Sequence, residues 1–68
     1  MLTPLRKLRE QQKVTINQLS QAVGIDVGNL SRIERGLQKA SLERAQRIAD
    51  FFSQEISVME IIYPEHRQ

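Results

Sequence analysis

The chain has 68 residues, no cysteine and a net charge of +2, which limits it to one small domain without a disulfide or a thiolate metal site. No apolar run approaches the roughly 18 residues that a membrane span needs, and the start, MLTPLRKLRE, lacks the apolar core of a signal peptide. We therefore expect a soluble cytoplasmic protein whose stability comes from helix packing or from a partner chain.

The charge is divided unevenly along the chain. Residues 1–47 carry nine of the ten basic residues and four acidic ones, for a net +5, whereas residues 48–68 carry a net −3. This asymmetry suggests that the first two thirds of the chain face a polyanion, although charged residues also form ordinary solvated surfaces.

Start signals in the sequence predict the first two helices. Thr3 before Pro4 fits an N-cap with proline at the first helical position, for a helix of about three turns that ends near Lys13. Thr15 with Gln18 forms the spacing of a capping box, which opens a second helix. Leu5 and Leu8 are the predicted inward residues of the first helix, and Leu19, Ala22 and Val23 those of the second.

The third and fourth helices have equally clear boundaries. Asp26 is a predicted N-cap favoured by the helix dipole, Leu30 and Ile33 point inward, and Gly36 ends the third helix. Ser41 caps a fourth helix. Its predicted apolar face consists of Leu42, Ala45, Ile48, Ala49 and Phe52.

The last part of the chain permits two interpretations. Ser57 with Glu60 repeats the capping-box spacing and favours a short helix through Ile62. The stretch EISVMEIIY is also rich in β-branched residues and fits a strand. We expect the helix, Pro64 as a breaker, a domain over residues 1–63 and a loose tail over residues 64–68.

The connection between the second and third helices is very short. It consists of Gly24, Ile25 and the cap Asp26, and a turn entered through glycine forces two helices to cross steeply. This is the geometry of a helix-turn-helix unit, here about residues 15–36. The second helix of such a unit enters the major groove of DNA.

The segment LSQAVGIDVGNLSRIERG, followed by Ser41 and Leu42, resembles the XRE family of lambda-repressor and Cro-like helix-turn-helix domains. The resemblance runs from about Leu5 to Ile62. It implies an all-α fold, a compact lambda-repressor-like domain of four to five helices, that binds double-stranded DNA and regulates transcription. The expected location is the cytoplasm of a bacterial or phage-infected cell, in association with the nucleoid.

The resemblance also implies which residues read bases. Arg32 is the best candidate, because a guanidinium can bond guanine O6 and N7 together. Asn29 suits adenine or the DNA backbone, and Val27 suits a thymine methyl group. The implied base-reading residues are Val27, Gly28, Asn29 and Arg32.

Other residues match phosphate contacts and a structural ion pair. Arg35 and Lys39 resemble the family's phosphate contacts, and the capped helix start at Thr15 can hold a phosphate. Arg9 and Glu34 match the family's internal ion pair, which fixes orientation more than it adds stability. Ser31, Lys13 and Arg44 complete the expected phosphate contacts.

The sequence departs from the family at the reading edge. Many members have glutamine at the positions of Ile16 and Val27, and Gly28 replaces a residue that commonly touches a base. Glycine also costs a helix roughly 0.5–1 kcal/mol. Either the helix approaches the bases closely and leaves specificity to Arg32 and DNA shape, or base reading has weakened.

Proteins of this kind usually pair across a two-fold axis, with recognition helices about 34–36 Å apart that read two half-sites. The apolar content of Phe51 and the last element exceeds what the face of the fourth helix and a short fifth element need. Part of it can therefore form a homodimer contact, while core filling is an equal alternative for each residue. The candidates are Ile56, Val58, Met59, Ile61 and Ile62.

An enzyme is not expected. His66 is the single histidine and falls in the predicted tail, and no carboxylate pair, activated nucleophile or phosphate-binding glycine loop occurs. We expect no metal, no cofactor and no small-molecule effector. The function expected is a repressor, with a phage Cro-like protein, a restriction controller and an antitoxin left open. The alternative is a helix-turn-helix scaffold reused for binding another protein.

Overall fold

The computed structural model describes residues 2–65. These residues form five helices and no strand, which confirms the predicted all-α fold and the helical interpretation of the last element. His66 and the rest of residues 66–68 lie outside the described part of the chain. The helices are α1 (Pro4–Gln11), α2 (Ile16–Val23), α3 (Val27–Glu34), α4 (Leu42–Phe51) and α5 (Val58–Ile62).

Each helix begins at the side chain that the sequence predicts. Every N-cap oxygen accepts a hydrogen bond from the backbone N–H three residues later, which satisfies one of the free donors of the first turn. The capping boxes of α2 and α5 are both complete. The five N-caps are Thr3, Thr15, Asp26, Ser41 and Ser57.

The end of α1 falls within two residues of the predicted position near Lys13. The helix stops at Gln11, and Lys13 adopts a left-handed φ of 57°. The N–H of Val14 then bonds the carbonyl of Arg9, and the N–H of Lys13 bonds that of Glu10, each at 3.1 Å. These two bonds form a Schellman closure, in which a lysine occupies the position that usually holds glycine.

Two residues that we predicted in the core are exposed. Leu42 is 67 % exposed at the first position of α4, whose buried residues begin one turn later with Ala45. Ala22 is exposed because Leu19 and Val23, one turn apart, carry the inward stripe of α2 and leave Ala22 beside it.

The core lies where α2 packs against α3 and α4, while α5 packs against α4 and α1. Ile56 and Ile61, two of the candidate dimer contacts, are each only 3 % exposed and belong to this core, which removes them from the candidate surface. Val58 and Ile62 are half-buried against the core, and Met59 is 63 % exposed.

The segment after α5 is not loose at its start. Pro64 is buried, and the carboxylate of Glu65 lies 3.5 Å from the ammonium group of Lys39. Pro64 thus packs against the domain, and the exposed Glu65 makes a surface contact with Lys39.

Candidate nucleic-acid interface

Three features hold the turn between α2 and α3. Gly24 has a φ of 71°, a left-handed conformation that glycine adopts at little cost, and it ends α2. The hydroxyl of Ser20 donates to the carbonyl of Ile25 at 2.5 Å. Arg47 Nη1 donates to the carbonyl of Val23 at 2.9 Å, so α4 also holds the end of α2. The orientation of α3 relative to α2 is therefore fixed.

The C-terminal end of α3 is anchored to α1. The carboxylate of Glu34 accepts hydrogen bonds from Arg9 Nε and from Arg9 Nη2, the latter at 3.0 Å. The side chains are only 13 % and 4 % exposed. The hydroxyl of Thr3 donates to the carbonyl of Glu34 at 2.5 Å. The ion pair that the resemblance implies is thus present inside the domain, where it positions α3 and is not available to a ligand.

The outward face of α3 carries the residues implied in base reading. Leu30, Ile33 and Glu34 point into the domain, which turns the opposite side of the helix toward solvent. Val27 is 38 % exposed. Gly28, Arg32 and Arg35 are exposed, while Asn29 and Ser31 are half-buried.

Four polar side chains on this face form one hydrogen-bonded chain, which we call the reading-edge network: Asp26, Asn29, Arg32 and Gln38. Asn29 Nδ2 donates to the carboxylate of Asp26, and Asn29 Oδ1 accepts from Arg32 Nη2 at 3.0 Å and from Gln38 Nε2 at 3.0 Å. Arg32 Nε donates to Gln38 Oε1 at 2.9 Å. Asn29 therefore connects the N-cap Asp26 with Arg32, which lies one turn further along α3.

Gln38 is the member that sequence reasoning missed. It lies in the loop between α3 and α4, outside the helical spacing that identified Asn29 and Arg32. Its contacts depend on the path of that loop, which turns back at Gly36 with a φ of 76°. A glycine at a helix end predicts such a turn but not which later side chain returns to the helix.

Asp26 carries a charge at this edge. Hydrogen bonds from the backbone N–H and side chain of Asn29 hold the pKa of the Asp26 carboxyl below its usual value, with smaller contributions from the Gly28 N–H and the charge of Arg32. Desolvation acts in the opposite direction and does not outweigh them. The carboxylate is therefore ionised at neutral pH.

The small residue at position 28 has a local structural explanation. A Cβ atom added to Gly28 would lie 3.1 Å from Asp26 Oδ2 and 3.9 Å from Arg32 Nη1. The first distance is tight, so a side chain there would displace the carboxylate that caps α3. Gly28 thus leaves room for the capping carboxylate of Asp26, and the exposed edge of α3 has no side chain at this position.

The expected phosphate contacts Thr15, Lys13 and Arg44 differ in exposure and in the hydrogen bonds that they already make. The hydroxyl of Thr15 accepts from the N–H of Gln18 at 3.0 Å, and its N–H donates to Gln18 Oε1 at 2.8 Å. Both capping groups are therefore occupied within the protein. Lys13 is exposed, and Arg44, at the start of α4, is half-buried.

The two expected phosphate contacts after Arg32 also differ. Arg35 is exposed, with Nε 3.4 Å from the carbonyl of Ser31. Lys39 Nζ lies 3.5 Å from the carbonyl of Ile62, 3.5 Å from Glu65 Oε2 and 4.9 Å from the centre of the Tyr63 ring. Lys39 is thus directed toward the segment after α5.

A short glycine turn between two helices, with the second helix exposed along a polar face, defines a helix-turn-helix protein. The family model HTH_3, Helix-turn-helix, matches residues 5–58. The chain therefore belongs to this family, which is the XRE family, and is a DNA-binding domain of the kind that regulates transcription. The family is regulatory and not typically enzymatic. Comparisons with curated proteins and with solved structures give no significant match.

Two further observations limit the kinds of site present. None of the helices within residues 2–65 has the length and apolar character to cross a membrane. In the same part of the chain, aspartate and glutamate side chains form no group of three or more that can hold a metal ion.

Proposed function

We propose that the protein is a sequence-specific transcriptional repressor that binds a palindromic operator as a homodimer, with α3 in the major groove. The observation that carries this proposal is the position of Arg32. Its guanidinium stands on the exposed face of a helix that is anchored at both ends, by the turn at Gly24 and by the Arg9–Glu34 ion pair. A fixed helix with an outward arginine is suited to bidentate bonding of guanine.

Val27 and Gly28 complete the proposed contact with the bases. The exposed Val27 side chain suits the methyl group of thymine. Gly28 adds no bulk, so α3 can lie close to the base edges while Arg32 reaches further along the groove. Specificity then comes from few direct contacts together with DNA shape.

Affinity is expected to come from the phosphates. Arg35 and Lys13 are exposed and unpaired with any carboxylate among residues 2–65, and Lys39 is held only by surface contacts. The N–H groups of the first turn of α2, after Thr15, provide a further phosphate site. Ser31 and Arg44 stay as flanking contacts. Binding is then strongly salt-dependent, because neutralised phosphates release counterions.

The proposed dimer uses the apolar surface that the core leaves on α5. Met59 is exposed, and Val58 and Ile62 are half-buried. A two-fold pair places two copies of α3 in successive major grooves on one face of the DNA. Such a dimer over a promoter represses by blocking polymerase. We assign no small-molecule effector and place the protein in the cytoplasm, on the nucleoid.

Titration with duplex DNA at two salt concentrations tests this proposal, after selection of bound sites from random sequence. We expect Arg32→Ala to lose sequence preference. Arg35→Ala should lose affinity for all sequences, and its salt slope, the slope of the logarithm of the binding constant against the logarithm of the salt concentration, should be smaller in magnitude by about one. Lys7→Ala, which removes one charge from the exposed side of α1, is the matched control and should leave both nearly unchanged. Absence of any salt-dependent binding by the unaltered protein contradicts the proposal.

The second candidate function is a scaffold that binds another protein. Leu37, just after α3, and Leu42, at the start of α4, favour it, since both are 67 % exposed and large exposed apolar side chains suit a protein partner. This candidate predicts a chain that is folded but binds duplex DNA weakly or not at all, so the same titration separates the two functions.

A further inference from the structure

We infer that Gln38, in the loop after α3, is a specificity-positioning residue that holds Arg32 in place for guanine. In the same assignment Asn29 supports the arginine and does not read a base. The inference rests on the proposed function, because it concerns how the same site selects its sequence. It adds a residue outside the recognition helix and changes the role of one inside it.

The geometry is a closed triangle of hydrogen bonds. Arg32 Nε donates to Gln38 Oε1 at 2.9 Å, Gln38 Nε2 donates to Asn29 Oδ1 at 3.0 Å, and Arg32 Nη2 donates to the same Asn29 oxygen at 3.0 Å. Each of the three side chains contacts the other two. A single bond would leave the long arginine side chain free to rotate, whereas the triangle fixes it at two nitrogens.

The loop brings Gln38 to this position by the way α3 ends. The N–H of Gly36 bonds the carbonyl of Ile33 at 3.1 Å, and the N–H of Leu37 bonds the carbonyl of Arg32 at 2.9 Å. This Schellman closure turns the chain back at the helix end. Gln38, the next residue, therefore lies beside the last turns of α3 and not beyond them.

The free donors of Arg32 point to its function. The guanidinium has five N–H groups, and the triangle uses Nε–H and one N–H of Nη2, which lie on the same edge of the group. The terminal edge, with Nη1 and the second N–H of Nη2, has no acceptor among the described residues. Two parallel donors on one edge match the O6 and N7 acceptors of guanine.

The bonds of Asn29 explain its supporting role. Its oxygen accepts two hydrogen bonds, which is the capacity of an amide oxygen, and its nitrogen donates to Asp26. Bidentate reading of adenine needs a free oxygen and a free N–H together. Asn29 can supply both only if the triangle breaks.

Ordering the arginine before binding is expected to strengthen its contact with guanine, because a long side chain otherwise loses rotamer freedom on binding. We expect Gln38→Ala to weaken binding to the preferred guanine site by about three- to tenfold. Binding to sites that lack this guanine should change little, and the salt slope should stay the same, because no charge is removed.

The test combines NMR of the free protein with DNA binding. In the unaltered protein, we expect the Nε–H signal of Arg32 to be sharp and slowly exchanging, and Gln38→Ala should broaden it or accelerate its exchange. Gln38→Leu, which keeps most of the volume, guards against a packing effect, and thermal unfolding checks that both variants fold. Gln46→Ala, at an exposed glutamine of α4 whose side chain bonds Asp50, is the matched control and should change neither readout.

A double-variant comparison distinguishes the possible outcomes. If Gln38 acts through Arg32, then Arg32→Ala and the double variant bind with the same affinity and base preference. Additive losses, or a guanine preference and an Arg32 signal unchanged in Gln38→Ala, overturn the inference while the proposed function stands. If the unaltered protein selects no DNA site, the proposed function fails and this inference fails with it.

Discussion

Arg9 of α1 and Glu34, the last residue of α3, form an ion pair whose side chains are almost wholly enclosed by the domain. Arg9 also donates to the carbonyl of Val14 at 2.8 Å, so one guanidinium joins α1, the segment before α2 and the end of α3. The pair therefore fixes the position of α3 through contacts on its buried side. Burial of two charges offsets much of their attraction, so the pair adds orientation more than stability.

We expect Glu34→Gln or Arg9→Leu to lower the free energy of unfolding by about 3 kcal/mol, because either change leaves the other charge buried without its partner. Urea unfolding measures the loss. Arg6→Ala is the control, since its pair with Glu10 is exposed and should contribute less than about 1 kcal/mol. Equal losses at the buried and exposed pairs would contradict the burial cost assigned to the Arg9–Glu34 pair.

Asp26→Ala should lower stability at neutral pH, since the carboxylate caps α3. The pKa of Asp26 is lower in the folded protein than in the unfolded chain, so its contribution is fully present above the unfolded value of about 3.9. The contribution is lost as the pH falls through the folded pKa. The difference between the unaltered protein and Asp26→Ala should therefore shrink in acid. Asp26→Asn keeps a capping oxygen and is the control; a difference that grows as the pH falls would show the opposite linkage.

Gly24→Ala should cost about 1–2 kcal/mol, because an L-residue is strained at a φ of 71° and its Cβ would lie 3.3 Å from Arg47 Nη1. Gly28→Ala is the comparison within the same unit. Its φ is not left-handed and alanine favours a helix, so it should cost less than Gly24→Ala even though Asp26 must shift. Thermal or urea unfolding ranks the two, and the reverse order would contradict this account of the turn.

Lys39→Gln should weaken DNA binding equally for all sequences and reduce the salt slope by about one, if Lys39 leaves Glu65 to contact a phosphate. Glu65→Gln should then strengthen binding slightly, because it removes a competitor for the same ammonium group. Stability should change little in either variant, since the pair is exposed. A salt slope that is unchanged in Lys39→Gln would show that Lys39 contacts the segment after α5 and does not bind a phosphate.

Local and distant contacts differ in how well they could be predicted. The caps at Thr3, Asp26 and Ser41 follow from short spacings, because a capping oxygen and its N–H donor lie three residues apart. The left-handed closure after α1 could not be predicted, because the residue type of Lys13 does not indicate that conformation.

In the candidate site, too, local contacts could be predicted from the sequence and contacts between distant residues could not. Helical spacing places Val27 and Asn29 at the start of α3 and Arg32 one turn later, along one edge of the helix. The contact of Gln38 with that edge depends on the path of a loop, and the contact of Lys39 with Glu65 joins residues 26 positions apart. Neither contact has a spacing that a sequence can reveal, and both change the expected roles of neighbouring side chains.

The most direct test of the central claim is binding to a selected operator in which guanine is replaced by 7-deazaguanine, which removes the N7 acceptor from the major groove and leaves base pairing intact. If Arg32 on α3 bonds that guanine, replacement at the contacted position should weaken binding about fivefold or more. Arg32→Ala should bind the two duplexes equally. Equal binding of both duplexes by the unaltered protein, at every guanine of the site, would contradict a major-groove role for α3.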